Sequence, residues 1–318
     1  MPWAHPVQRS LFLVAQPEYM ATDDLLIIRD RIRRLETDVH AMVVGRADRA
    51  DLIDRAWWNR PSLTVSFGPI GRFRPLRGTV LINASIPKLE QYRMMSAAGV
   101  PTPRTAAFSF GMSLPEAEWG ELCVLKPVEL DVTSSGRGLY LYRTRRLSGL
   151  RPEDLPPDHL ARSHPMLVQS FIATGPRFRV YRCLTLFGEA IYQNLAEAPE
   201  DHPPLDSPNG ILESMTPEPP RQRTAPRINT EPDVMAFAAT IQSAFPDVPL
   251  LGCDIVREVP GDRLFAIEVN AGGNVWHLSS PRTSASRTIT KIQSYLKTFE
   301  SYDKAALALI RATRRRAE

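Results

Sequence analysis

The feature of the sequence that most restricts its fold is a pair of apolar runs around residue 260. LLGCDIV, at residues 250–256, and RLFAIEVN, at residues 263–270, are separated by a short segment that contains a PGD turn. Two such runs joined by a turn predict a β-hairpin. The sequence therefore predicts an antiparallel sheet in the second half of the chain.

Three oxygen-bearing side chains belong to this hairpin. Glu268 and Asn270 are two residues apart, so they share one face of a strand, and cross-strand pairing can bring Asp254 to that same face. Carboxylate and amide oxygens are the ligands that Mg²⁺ prefers, and a metal site is one interpretation. Ion pairs of the two carboxylates with Arg257 or Arg263 are the alternative.

The first hundred residues predict a mostly parallel α/β sheet, because short apolar runs alternate with a helix that TDD caps at residues 22–24. That helix carries Leu25, Ile28, Ile32 and Leu35 at helical spacing. The strand candidates are residues 11–15, 40–45, 63–68 and 79–83.

A second antiparallel sheet is predicted further along. A helix at residues 87–99, opened by Pro87 and closed by Gly99, precedes it. Its strand candidates are residues 122–128, 138–143 and 166–172. The frequent prolines between Leu195 and Asn229 predict a long surface loop. A helix at 231–244 and one long helix at about 286–315 complete the predicted elements.

Composition, cysteine spacing and the length of the apolar runs argue against a disordered, nucleic-acid-binding, disulfide-linked or membrane-spanning protein. The 318 residues are 43% hydrophobic and 23% charged, which is typical of a globular chain, and the net charge is only +4. We expect no nucleic-acid partner, because the arginines that end the chain also suit a helix C-terminus. Cys123, Cys183 and Cys253 are widely spaced in apolar runs and predict buried thiols. No run is long enough to span a membrane, and we expect a cytoplasmic protein.

A candidate phosphate-binding loop lies between two predicted strands. DVTSSGRGL, at residues 131–139, contains Gly136 and Gly138, whose backbone N–H groups could approach an anion. Lys126 lies in the strand before the loop, where an ammonium could contact a phosphate. An ordinary turn and an edge-strand lysine are the alternatives, since the loop matches neither a Walker motif nor a dinucleotide fingerprint.

Together these segments resemble the ATP-grasp enzymes in order and approximate spacing. The motifs are NASIPKLEQYRMMSAAGVPTPRT, VLKPVELDVTSSGRGLYL, MLVQSFI, FRVYRCLTLFGEAI, LLGCDIVR and AIEVNAGG, within about residues 80–275. The resemblance implies an α/β (α+β) fold in which a nucleotide lies between two antiparallel-sheet subdomains. It implies a parallel pre-ATP-grasp domain at residues 1–85, an N-terminal ATP-grasp subdomain at 86–173 and a C-terminal subdomain at 174–318.

The resemblance also implies roles for individual residues. Lys88 and Lys126 would contact the phosphates of ATP. The covering loop would contain Ser134, Ser135, Gly136 and Gly138. Gln169 would meet the adenine amino group, and the backbone of Phe171 and Ile172 would meet the ring edge. Asp254, Glu268 and Asn270 would be the Mg²⁺ ligands, with Mn²⁺ as a possible substitute.

Two further pairs of residues are candidates on this resemblance. An arginine that enters the FRVYRCLTLFG strand would neutralise the transferred phosphoryl group. Arg182 fits best, with Arg179 as the alternative, and only one of them can face inward from a regular strand. Trp276 and His277 follow the metal ligands and could border the substrate, with His277 as a base. Packing of the tryptophan and a surface histidine are the alternative.

The sequence also departs from the family pattern. After QSFI the expected ribose-binding acid is replaced by Ala173, Thr174 and Gly175. After AIYQNL an arginine common in amino-acid-adding relatives is missing, and Arg221, Arg223 or Arg227 could replace it.

The expected activity is ATP-dependent ligation of a small-molecule or peptide carboxylate to an amine through an acyl phosphate. Within the family, the sequence most resembles the glutamate-adding and peptide-modifying enzymes. A small-molecule kinase and a non-catalytic ATP-binding regulator are the alternatives. A homodimer is possible, although the sequence shows no exposed apolar stripe that predicts one.

Overall fold

A computed structural model describes residues 7–35, 38–128, 138–198, 211–212, 227–272, 275–279 and 289–318. These residues form three sheets and the helices that pack on them. No helix in these ranges is both long and apolar enough to cross a membrane.

The N-terminal sheet is parallel and covered on both faces. Its strands are β1 (Arg9–Ala15), β2 (Val39–Gly45), β3 (Ser62–Ser66) and β4 (Thr79–Ile82), in the spatial order β2-β1-β3-β4. Helix α1 (Thr22–Leu35) buries Leu25, Ile28 and Ile32, as its helical spacing predicts. On the other face, Trp58 from the short helix α2 (Arg55–Trp58) stacks on Phe12 with ring centroids 4.3 Å apart. The predicted parallel sheet is confirmed.

Helix α3 (Lys88–Ala97) connects the first sheet to the second. It follows Pro87, as predicted, and ends before Gly99, whose φ of 71° lies in the left-handed region that favours glycine. The helix lies against the third sheet as well, since Val269 N donates to Gln91 Oε1 at 3.2 Å. This contact places the first residue of α3, Lys88, beside the third sheet.

The second sheet is antiparallel. Its strands are β5 (Thr105–Ala107), β6 (Leu122–Pro127), β7 (Tyr140–Arg143), β8 (Met166–Ser170) and β11 (Ile211–Leu212), in the order β11-β7-β6-β8-β5. The short helices α4 (Glu116–Trp119) and α5 (Thr144–Leu147) and the 3₁₀ turns Pro152–Asp154 and Leu160–Arg162 lie in the same part of the chain. One face of the sheet contributes to a core around Cys123, Leu125 and Val168.

The third sheet is also antiparallel. Its strands are β9 (Arg179–Leu186), β10 (Glu189–Glu197), β12 (Arg227–Ile228), β13 (Leu250–Arg257) and β14 (Leu264–Asn270), in the order β12-β10-β9-β13-β14. Helix α6 (Pro232–Ser243) packs against one face. The predicted hairpin is therefore confirmed, and so is the fold class of one parallel and two antiparallel sheets.

The proline-rich segment is bounded by strands on both sides. Strand β10 continues to Glu197, beyond the predicted loop start at Leu195, and β12 pairs with β10 just before the predicted loop end. Most residues in between, including Arg221 and Arg223, lie outside the described residues, whereas Arg227 is exposed on β12. Strand β11 follows the third sheet's first two strands in sequence but pairs with the second sheet. The domain boundaries at 85 and 173 remain predictions.

The sequence predicts a single long C-terminal helix, and this prediction is wrong. Two helices, α7 (Ile289–Phe299) and α8 (Ser301–Arg316), are separated by Glu300, whose φ of 50° is incompatible with a continuous right-handed helix. Ser301 is buried and donates to Ile191 O at 3.1 Å, which fixes the start of α8. The change of direction allows both helices to bury apolar residues in the core that they share with the first sheet.

The first and third sheets are joined where the candidate site begins. Asn83, which follows β4, accepts a hydrogen bond from Leu250 N at 3.2 Å and donates to Ala271 O at 2.7 Å. Asn83 is 2% exposed, so this link is part of the buried structure. It holds the ends of β13 and β14 against the N-terminal sheet.

Candidate active site

A row of polar side chains crosses the third sheet on one face. Asn194, Arg182, Asp254 and Glu268 come from β10, β9, β13 and β14, and each is the direct cross-strand partner of the next. Directly paired residues of antiparallel strands place their side chains on the same face. We call these four residues the polar row. The predicted convergence of Asp254 and Glu268 on one face is therefore present in the structure.

Asn270 lies beside the polar row. It pairs with Gly252, two residues before Asp254, and it is two residues after Glu268, so it is on the same face as both. Val269, between them, is 1% exposed and points into the core. The three predicted metal ligands thus share a face, and their binding of a metal remains a prediction.

The carboxylates of the polar row lie near two cations. Lys88 Nζ is 3.7 Å from Glu268 Oε1, and Arg182 Nε is 3.7 Å from Asp254 Oδ1. Each carboxylate of the polar row therefore has a cation of the protein within ion-pair distance. The carboxylates remain 27% and 19% exposed, respectively.

The alternative in which Arg257 or Arg263 pairs with these carboxylates is wrong. Arg257 instead contacts Glu231 at 2.8 Å and Asp233 at 2.7 Å. Arg263 contacts Glu258 at 2.9 Å. Each arginine therefore has carboxylates of its own, outside the polar row.

Lys126 links the second sheet to the third. It is 6% exposed, and its Nζ donates to Tyr92 Oη at 2.7 Å, Gln169 Oε1 at 3.0 Å and Ile267 O at 3.4 Å. Tyr92 Oη in turn donates to Ile267 O. The ammonium group is therefore held one residue away from Glu268, at the junction of the two sheets.

Lys88 brings a second buried ammonium group to the same junction. It is 3% exposed, and its Nζ donates to Pro127 O at 3.4 Å. Burial lowers the pKa of Lys88; the neighbouring Glu268 raises it, and Lys126 lowers it again. Two buried cations this close favour an anion with several charges between them.

An apolar patch adjoins Lys126 on the second sheet. Leu122 and Val124 alternate with Lys126 along β6 and so share its face. They form a small cluster with Leu141, and Phe171 packs against it. Gln169 is the cross-strand partner of Val124. A flat heterocycle has both an apolar surface and hydrogen-bonding edges, which this combination suits.

The other predicted nucleotide contacts are partly described. Gly138 has a φ of 72°, and a Cβ there would lie 2.4 Å from Leu160 Cδ1, so only glycine fits. Ser134, Ser135 and Gly136 lie outside the described residues. Gln169 Nε2 donates to Thr105 Oγ1 at 2.8 Å, so both ends of its side chain have protein partners. The adenine contacts of Gln169, Phe171 and Ile172 remain predictions.

The two candidate arginines occupy different positions. Arg182 lies in the polar row, beside Asp254. Arg179 is at the start of β9 and pairs with Glu197 at 3.0 Å. The structure therefore brings Arg182, and not Arg179, to the candidate metal ligands.

Trp276 and His277 also differ. Trp276 is fully buried, and its Nε1 donates to Asp24 Oδ2 at 2.6 Å, so its side chain belongs to the core, as in the packing alternative. His277 is half-buried beside Tyr192, with ring centroids 6.3 Å apart, and its backbone N donates to Tyr192 Oη at 3.2 Å. Tyr192 is two residues before Asn194 on β10, which places His277 near the Asn194 end of the polar row.

Two site residues were missed from the sequence. Tyr92 lies one helical turn after Lys88 on α3, and the i, i+4 spacing is a signal that could have identified it. Asn194 has no such local signal, because its place in the polar row depends on the register of β10 against β9.

Metal-binding clusters and cavities do not point to another centre. In the described ranges, no group of three or more His, Cys, Asp and Glu side chains is suited to hold a metal; the candidate set has two carboxylates and an amide. A pocket of about 480 Å³ lies at the ends of β1 and β2, lined mostly by apolar groups. It contains none of the polar row.

Comparisons with known proteins give structural similarity alone. No protein-family model and no curated protein matches the sequence. D-cycloserine synthetase DcsG is 15% identical with a TM-score of 0.47, over 96% of this chain and 99% of that one. The ATP-grasp ligase PsnB, complexed with a minimal precursor, is 14% identical with a TM-score of 0.47, over 96% and 100%. A RimK domain ATP-grasp protein from Sphaerobacter thermophilus DSM 20745 is 14% identical with a TM-score of 0.47, over 94% and 98%.

Proposed function

We propose that this chain is an ADP-forming ATP-grasp ligase that joins a carboxylate to an amine. The observation that carries the proposal is the meeting of two buried lysines, from α3 and β6, with the carboxylates of the polar row. Buried ammonium groups are costly unless they are paired, and Lys88 and Lys126 share the neighbourhood of one carboxylate, Glu268. A polyphosphate would bring several negative charges to both ammonium groups.

The nucleotide would lie along the second sheet and reach the third. Its base would rest on the apolar patch of Leu122, Val124 and Leu141, near Gln169 and the backbone of Phe171 and Ile172. Its phosphates would reach Lys126 and Lys88. Residues 134–138, in the candidate phosphate-binding loop, would cover the phosphates.

The two carboxylates of the polar row and the neighbouring Asn270 fit a divalent cation. Asp254, Glu268 and Asn270 offer hard oxygen donors on one face, which suits Mg²⁺ or Mn²⁺. When bound there, the ion would neutralise negative charge on the phosphate oxygens. Glu268 and Asp254 remain 27% and 19% exposed beside Lys88 and Arg182, so a cation can reach them from solvent.

The chain's own residues position the reactants and stabilise charge. A carboxylate oxygen of the substrate attacks the γ-phosphorus of ATP, the bond to the ADP oxygen breaks, and an acyl phosphate and ADP result. Lys88, Lys126 and Arg182 stabilise the negative charge that the transferred group carries. The amine then attacks the acyl carbon, loses a proton and displaces inorganic phosphate. No covalent bond to the protein forms, which agrees with the three buried cysteines.

ADP release tests the proposal. Wild-type protein and Glu268→Gln are incubated with ATP and Mg²⁺, with and without a mixture of amino acids and a small-metabolite extract. Glu258→Gln is the matched control, because Glu258 pairs with Arg263 outside the polar row. We expect ADP and inorganic phosphate that depend on the mixture, in wild type and control, and a loss of at least about a hundredfold in Glu268→Gln.

Other outcomes would favour the alternatives. ADP release with a phosphorylated product and without inorganic phosphate would indicate a kinase. Nucleotide binding without release in any mixture would indicate a regulator and would overturn the ligase proposal. Absence of ATP binding would overturn the assignment of the site itself.

A further inference from the structure

Asn194 is a buried amide without a hydrogen-bond partner. Its side chain is 1% exposed, and among the described residues neither Nδ2 nor Oδ1 has a partner. Buried polar groups are nearly always hydrogen-bonded, because water no longer compensates for the missing bond. An amide with both its donor and its acceptor unsatisfied is therefore a strong exception, and it lies in the polar row.

A second unsatisfied group is adjacent. Arg182 Nε also has no hydrogen bond among the described residues and is 3.7 Å from Asp254 Oδ1. Arg182 and Asn194 are direct cross-strand partners, and neighbouring strands lie about 5 Å apart. One small molecule can reach both side chains at that spacing. The two groups together offer a cationic donor, a neutral donor and a neutral acceptor.

The described neighbours of Asn194 on this face carry no negative charge. Its other cross-strand partner is Ile228, and Tyr192 lies two residues before it on the same face. The Tyr192 hydroxyl donates to Val275 O at 2.6 Å and accepts from His277 N. Asp254 lies on the far side of Arg182. A substrate ammonium beside Asn194 would therefore meet no carboxylate among these neighbours.

The residue on the opposite face behaves differently. Gln193, which is also fully buried, donates through Nε2 to Asn229 Oδ1, and only its Oε1 has no partner among the described residues. Its amide thus has a structural role in joining β10 to the segment after β12. Among the described residues Asn194 makes no such contact through either atom, so both its donor and its acceptor are unsatisfied.

We propose that Arg182 and Asn194 form the acyl-donor subsite, in which Arg182 binds the carboxylate and Asn194 pairs with a neutral amide next to it. A peptide-type amide has one N–H donor and one C=O acceptor, which are the complements of Oδ1 and Nδ2. The substrate class is therefore an N-acylated amino acid or a peptide with a free carboxylate, and not a free amino acid. This inference rests on the proposed function, because the subsite adjoins the candidate phosphate and metal site.

The experiment measures binding and does not require turnover. Wild-type protein saturated with the ATP analogue AMPPNP and Mg²⁺ is titrated calorimetrically with N-acetyl amino acids and with the corresponding free amino acids. The tightest N-acetyl compound is then compared with its ketone isostere, in which CH₂ replaces the amide N–H. We expect the amide to bind about tenfold or more tightly than the isostere, the usual consequence of one unsatisfied buried hydrogen bond.

Two variants show whether Asn194 is responsible. In Asn194→Leu, which removes donor and acceptor at similar size, the preference for the amide should fall to about one, with AMPPNP affinity unchanged. Thr64→Val is the matched control, because Thr64 Oγ1 is another buried atom without a partner, in the first sheet; it should keep the wild-type preference. If Asn194→Leu does not fold, Asn194→Asp replaces it and should weaken amide binding about tenfold through loss of the N–H donor.

The outcomes separate this inference from the ligase proposal. An unchanged preference in the Asn194 variants, tighter binding of free amino acids, or no carboxylate binding to the nucleotide-loaded protein would overturn the subsite. ADP release driven by free amino acids would leave the ligase proposal intact and remove the subsite. Amide-dependent binding without ADP release would keep the subsite and remove the ligase proposal.

Discussion

The two faces of the third sheet are built from the same strands, but the charged side chains at the middle of the sheet all lie on one of them. One face, which we call the core face, carries Tyr181, Cys183, Cys253, Ile255 and Val269, all at most 7% exposed. It packs on α3 and α6. The other face carries the polar row, whose carboxylates form ion pairs with Lys88 and Arg182 and whose amide has no partner among the described residues.

The difference shows how one set of strands can serve stability and binding together. Successive residues point to opposite faces, so Cys253 and Asp254 are neighbours in sequence and opposites in environment. Burial of the core face fixes the register of the strands, since a shift of one residue would exchange the two faces. That register is what places four polar side chains in a line.

The largest effect should follow from a change on the core face. Ile255 is fully buried, and Ile255→Ala should lower the free energy of unfolding by about 2–5 kcal/mol, because it leaves a cavity. Urea unfolding measures this loss. The affinity of the folded variant for AMPPNP with Mg²⁺ should equal that of wild type. Weakened binding at unchanged stability would show that the two faces are not separate in function.

At the junction of the second and third sheets, a substitution should weaken nucleotide binding and have a smaller effect on stability. Lys126→Met should weaken AMPPNP binding about tenfold to a hundredfold, because a charged hydrogen bond contributes about 1.5–3 kcal/mol. The urea midpoint should change less than in Ile255→Ala, since methionine fills the same space without a buried charge. Titration calorimetry measures the affinity, and Arg263→Met, which removes an exposed cation just before β14, serves as control. Equal affinities in the two variants would contradict a phosphate role for Lys126.

A smaller effect of opposite sign is expected for Arg182. Its guanidinium is 38% exposed and lies near Asp254, so solvent screening limits the interaction to at most about 1 kcal/mol. Arg182→Met should strengthen the binding of Mn²⁺ alone by up to about fivefold, because one competing cation is removed from the candidate metal ligands. Electron paramagnetic resonance of free Mn²⁺ would detect it. Weaker Mn²⁺ binding would place the metal elsewhere.

The smallest expected effect concerns the thiols on the core face, which should not be alkylated in the folded protein. Burial raises the pKa of Cys183 and of Cys253 far above the usual thiol range, and a thiolate is the form that alkylates. Iodoacetamide at pH 8 should therefore leave both unmodified in the folded protein and label both in urea, as measured by intact mass. Nucleotide should not change the result. Rapid labelling of folded protein would show that the core face opens.

The fold was largely predictable because it depends on local alternation. The apolar runs and the capped helix at residue 22 have periodicities that burial on one face requires. The C-terminal helix was the exception. Its apolar pattern continues through Glu300, and no local signal shows that the chain turns there to pack two helices against the same core.

The candidate site was only partly predictable, and the reason is cross-strand register. Asp254 and Glu268 belong to one hairpin, so their pairing could be inferred from the sequence. Asn194 and Arg182 were not recognisable as neighbours, because a two-residue turn region and an irregularity between Ala190 and Tyr192 set their register. Gln169 contacts Thr105 and Lys126, and the three residues come from three separate strands. No pattern in the sequence indicates such contacts.

Calorimetric titration with AMPPNP tests most directly whether Asp254, Glu268 and Asn270 hold a divalent cation while Lys88 and Lys126 bind the phosphates of a nucleotide. Wild type is titrated with and without Mg²⁺, beside Glu268→Gln and the Glu258→Gln control. We expect one site per chain, tighter binding with Mg²⁺ in wild type and control, and loss of that Mg²⁺ dependence in Glu268→Gln. No binding, or the same Mg²⁺ dependence in all three proteins, would contradict it.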